Sequence, residues 1–181
     1  GQYCTQNRLA LDDEGWDPVR IVSWTSSNNY AGLPPAARRY MWTGLLLGDL
    51  LFKLRCRVLP YEVNPGETEA LFERWKARLV VAMEQGLKLE TEVKAAHDAF
   101  AAVPRHPGRK PLVGIVGEIY VRSNRFTNQD VVRSIEAAGG EAWLAPISEW
   151  IMYIGYLDTH GLGNDATGFR AKISAWARNN F

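Results

Sequence analysis

The run Leu112-Val113-Gly114-Ile115-Val116-Gly117 restricts the fold more than any other feature of this chain. It has no polar side chain and is bounded by Pro111 and Glu118, a pattern that predicts a β-strand covered on both faces. Such strands belong to parallel sheets with helices on either side, and the next segments fit that plan. Thr127 or Asn128 is placed to cap a helix whose Val131, Val132, Ile135 and Ala138 share a face, and Gly139-Gly140 ends it. Ala142-Trp143-Leu144-Ala145 then reads as a second strand, and Pro146-Ile147-Ser148-Glu149-Trp150 opens an apolar helix through Met152 to Tyr156. The pattern from Asp165 to Asn180 is helical again.

Upstream, Gln6 to Glu14 predicts a helix closed by Gly15, feeding a strand Val19-Arg20-Ile21-Val22-Ser23-Trp24. A crossover helix normally follows a strand of the same sheet, so a start at Gly1 implies a fragment of a larger protein. From Pro34-Pro35 to about Val58, apolar residues cover most of a helix surface, which predicts burial on more than one side. Asn64-Pro65-Gly66-Glu67 combines an N-cap residue type, a proline and an acid, so a second long helix is expected from about Pro65 toward Phe100, bent at Gly86. Pro104 to Pro111 reads as a solvated linker. The expected architecture is α/β, an open, mainly parallel Rossmann-like sheet with a long helical hairpin inserted between strands. Residues 1–33 form a truncated α/β half-unit, 34–104 the hairpin insert, and 105–181 a βαβα unit of the same domain.

Composition removes several function classes. Twenty-one Lys and Arg against 20 Asp and Glu leave a net charge of +1, too little to hold a polyanion, so no nucleic-acid partner is expected. Leu45 to Phe52 is interrupted by Asp49 and followed by Lys53, so no membrane span is expected. Cys4 and Cys56 form no Cys-x-x-Cys pair, which favours a reduced, cytoplasmic protein and supplies no metal site. Cys56 reads as a small core hydrophobe, and His97 and His106 as surface residues. Gly114-Ile115-Val116-Gly117-Glu118 lacks the last glycine of a dinucleotide fingerprint, and no phosphate loop or Gly-x-Ser-x-Gly elbow occurs.

Ligands of open parallel sheets sit beyond the carboxyl ends of the strands. Three segments are expected at that edge: Thr25 to Tyr30, Glu118 to Phe126, and Ile147 to Trp150. The middle one is long for a βα connection and polar, which makes it the strongest functional pointer. The candidate catalytic residues are Glu118 and Glu149. Ser26, Asn28, Asn29, Tyr120, Arg122, Asn124, Arg125 and Ser148 are candidates for substrate binding. Arg122, helped by Arg125, presents a planar fork suited to a phosphate or carboxylate, near a helix start at Asn128. The structural alternative has Arg122 pairing with Glu118 or Glu149 and fixing the loop.

Gly117-Glu118-Ile119-Tyr120-Val121-Arg122-Ser123-Asn124, then Asn128-x-Asp130-Val131-Val132, then Ala145-Pro146-Ile147-Ser148-Glu149-Trp150 closely resembles one known family. It is the 2-hydroxyacyl-CoA dehydratase D-component-like region of large CoA-substrate-specific enzyme activase proteins. Gly1-Gln2-Tyr3 and Pro60-Tyr61-Glu62-x-Asn64-Pro65-Gly66-Glu67 fit as well, so the resemblance runs through nearly the whole chain in order. It implies a part in low-potential electron transfer to an acyl-CoA dehydratase or reductase, through a [4Fe–4S]-type cluster and driven by an ATPase domain of the sugar-kinase and actin type. In the family, Gly-Gln-Tyr commonly follows a cysteine-bearing turn that would precede Gly1, so the cluster and the ATPase domain are expected in the remainder of a larger chain. A homodimer sharing a cluster through Cys4 stays open. Two other classes remain beside the redox component: a noncatalytic docking or scaffold domain for a partner subunit, and a hydrolase or transferase using Glu118.

Overall fold

In a computed structural model, the structure describes residues 2–16, 19–21 and 33–160. The chain divides into two compact units, Gly1–Arg39 with Asn164–Phe181, and Tyr40–Gly163. In the first, α1 (Gln2–Asp13) closes on the left-handed Gly15, as its sequence predicts. Arg8 secures the turn beyond it, donating to the carbonyls of Trp16 and Val19 and pairing with Asp12. Val19 to Ile21 are not in a strand, and the rest of the expected strand to Trp24 lies outside the described residues. So does the expected helix from Asp165 to Asn180.

The second unit is built on α2 (Pro35–Val58), which continues into it from Arg39. Leu47, Leu51 and Val58 lie on one side of α2 and pack with Leu71, Trp75 and Leu79 of α3 (Glu67–Glu84) and Ala96 and Phe100 of α4 (Leu89–Ala101). Phe52 and Cys56 point about half a turn away, into a second cluster with Val132, Ile135 and Ala142. The apolar surface of α2 is therefore divided between two separate cores, while Tyr40, Met41, Leu46 and Leu50 of the same helix are exposed. The helix expected from Pro65 to Phe100 is two helices. Gly86, at φ 64°, reverses the chain between them, a conformation that carries little penalty only for glycine. Nor does Asn64 start α3. The carboxylate of Glu62 does, accepting from the backbone N–H of Gly66 at 2.7 Å and of Thr68 at 2.8 Å. Partial burial works against the charge on Glu62, and the bonds from Thr68 and Gly66 more than offset it, holding the carboxyl below its ordinary range.

The linker after α4 is exposed but pinned. The Tyr61 hydroxyl accepts from the N–H of Lys110 and donates to Glu141 at 2.7 Å, and the backbones of Glu62 and Arg105 face each other in an isolated antiparallel β-bridge. β1 (Leu112–Ile115) pairs in parallel with β2 (Glu141–Leu144), Leu112 opposite Glu141 and Ile115 opposite Leu144. The molecule is thus mixed α/β, predominantly helical, with a two-stranded parallel sheet among the described residues. The expectation that β1 is covered on both faces is corrected: Leu112, Val113 and Gly114 are exposed, whereas Ala142 of β2 is buried. The helical part from Tyr40 onward and the βα part belong to one unit, joined by Arg55. That guanidinium, 5 % exposed, reaches from α2 to Glu69 of α3 at 2.9 Å and to Glu136 of α6 (Val131–Ala137) at 2.7 Å.

Candidate functional site

Two chain segments leave the carboxyl ends of β1 and β2 side by side. After β1 the chain passes Val116, Gly117 and Glu118 into α5 (Ile119–Ser123), a short helix inside the stretch expected as an extended polar loop. The true βα connection is therefore of ordinary length. After β2, Ala145 and Pro146 lead into α7 (Ile147–Thr159).

Arg122 joins the two exits. Its Nη1 donates to the carbonyl of Gly117 at 2.9 Å and its Nη2 to the carbonyl of Pro146 at 3.4 Å. Its Nε is buried without a hydrogen-bond partner among the described residues. The expected pairing with Glu118 or Glu149 is not what fixes the loop, since Arg122 forms no ion pair with either. Gly117 presents its carbonyl from φ 139°, where a side chain would strain the backbone.

Both helix starts at this edge hold a carboxylate already. Glu118 is the N-cap of α5, its Oε2 accepting from the N–H of Val121 at 2.7 Å. The backbone donors of Val121 and Tyr120 hold the Glu118 carboxyl below its ordinary range, and the charge of Arg122 adds to the effect. A carboxylate so placed stays ionised at neutral pH and is a poor proton donor there. At α7 the carboxylate comes from α2: Asp49 Oδ2 accepts from the N–H of Ser148 at 2.8 Å. Negative charge is favoured at both positions by the unpaired amides and the helix dipole.

The remaining polar candidates shape the chain between α5 and α6. Asn124 Oδ1 accepts from the N–H groups of Phe126 and Thr127, and Asn128 Nδ2 donates to the carbonyl of Arg122 at 2.7 Å. Arg125 pairs with Asp130 at 2.7 Å, which keeps that carboxyl below its ordinary range. Asp130, in the left-handed region, is the residue from which α6 starts but caps nothing with its side chain; the Oδ1 of Asn128 accepts from the N–H of Val131 at 3.4 Å, so of the two expected caps Asn128 serves α6. The turn leaves Phe126 94 % exposed. Tyr120 and Glu149 are exposed as well, Glu149 in the first turn of α7. Ser26, Asn28 and Asn29 lie outside the described residues.

The structure therefore brings Glu118, Arg122 and Ser148 to one edge, with Asn124 and Arg125 holding the turn beyond α5. Sequence reasoning missed Asp49, whose one signal is an acid interrupting an apolar helix. It also missed Lys53, which stands over the Trp143 ring at 4.1 Å beside a water-sized cavity of about 20 Å³ lined by Asp49, Phe52, Cys56 and Pro146. Among the described residues, no group of three or more His, Cys, Asp or Glu side chains could hold a metal ion, and no helix is long and apolar enough to cross a membrane. Comparison with protein-family models, curated proteins and solved structures finds no match for this chain.

Proposed function

We propose that this chain is the scaffold portion of a cytoplasmic CoA-substrate-specific enzyme activase or 2-hydroxyacyl-CoA dehydratase-like component, serving ATP-driven low-potential electron transfer through an iron–sulfur cluster held mostly outside these residues. One observation carries the reading. The two most specific runs behind the resemblance, Gly117 to Asn124 and Ala145 to Trp150, are distant in sequence, yet they leave adjacent parallel strands and are tied together by Arg122. Motifs that meet at the carboxyl edge of a parallel sheet stand where α/β proteins place their functional residues. On this reading β1 and β2 are part of an open Rossmann-like sheet.

The residues present do not fit the iron–sulfur cluster that the resemblance implies. A [4Fe–4S] centre takes four thiolates, and the sequence holds two cysteines. Cys56 is 3 % exposed, and burial pushes its thiol up to about 11, which disfavours the thiolate a metal needs. These two cysteines carry no electron-transfer step; on this reading the cluster and the ATPase are supplied from elsewhere in the assembly. Glu118 and Arg122 act here as positioning residues, one setting the start of α5 and the other the spacing of the strand exits.

Exposure favours a second reading, a noncatalytic docking domain for a partner subunit: Val116 is 79 % exposed beyond the end of β1, with Tyr120 and Phe126 further along. Anaerobic purification of the protein from its source, with any subunits that accompany it, separates the two. The redox component should show broad visible absorption that dithionite bleaches, and ATP-dependent electron delivery to an acyl-CoA dehydratase. A colourless preparation that delivers no electrons would overturn it in favour of docking.

A further inference from the structure

We draw no further inference here: the strongest candidate, the exposed apolar strand Leu112–Ile115 with Val116 beyond its carboxyl end, carries nothing because nothing among the described residues shows what covers it.

Discussion

Glu118 and Arg122 are adjacent turns of one short helix, opposite in charge, and yet each is committed to the backbone rather than to the other. For Glu118 this fixes a pH dependence. Its carboxyl titrates lower in the folded chain than in the unfolded one, where the ordinary value is about 4.3, so its stabilising contribution is complete above that value. The contribution is lost as pH falls through the lower folded value. Glu118→Gln should therefore lower the melting temperature at neutral pH, with the difference from wild type shrinking as acidification protonates the folded-state carboxyl. A difference that is constant with pH would show that the charge on Glu118 does not support α5. The polarity of this stretch was plain in the sequence, and so was its place after a strand. The partners were not, because a backbone carbonyl or N–H is offered by nearly every residue and leaves no signature. Arg122 could thus be recognised as important, while the Gly117 and Pro146 carbonyls it holds could not be foreseen.

Among the elements, α2 explains most of the architecture, since its two apolar faces serve separate cores and Arg55 stands between them. The apolar residues spread around most of the helix, among them Leu45, Leu46, Leu47, Leu50, Leu51 and Leu54, announced burial on more than one side; what they could not announce was a buried charge. Arg55 stands between Lys53 and Arg57 near the carboxyl end of α2, where cations ordinarily face water, and its acceptors, Glu69 and Glu136, come from α3 and α6. Arg55→Ala would leave Glu136 buried without its partner and should cost about 3 to 5 kcal/mol. The double variant Arg55→Met with Glu136→Leu, which removes both charges, should recover much of that loss. Urea unfolding of the two variants checks this, and equal destabilisation in both would contradict a charge-based account. The opposite failure occurred at β1, where an all-apolar sequence predicted cover on both faces and the strand is largely exposed. Apolar patterning reports that a strand needs cover, not which residues supply it.

At the scale of the whole molecule, α2, β1, α6, β2 and α7 were legible in order because each has its own local period and punctuation, whereas α5 was read as loop and α3 and α4 as one helix. The break at Gly86 was foreseen as a bend and is a full reversal, since glycine's left-handed conformation lets the chain turn back where a bent helix would have continued. Anaerobic reconstitution of the 181-residue chain with iron and sulfide should yield no stoichiometric, chromatographically stable brown species; if one forms, the missing-ligand reasoning from Cys4 and Cys56 is wrong. The central claim concerns Arg122, as a tie between strand exits rather than a ligand-binding fork. Calorimetric titration of CoA and inorganic phosphate into wild type and Arg122→Lys, with thermal unfolding of both, tests it most directly. The predicted result is no measurable binding to either protein and a clearly lower melting temperature for the variant, because lysine cannot span both carbonyls. Saturable CoA binding by wild type, abolished in Arg122→Lys with thermal stability unchanged, would contradict it.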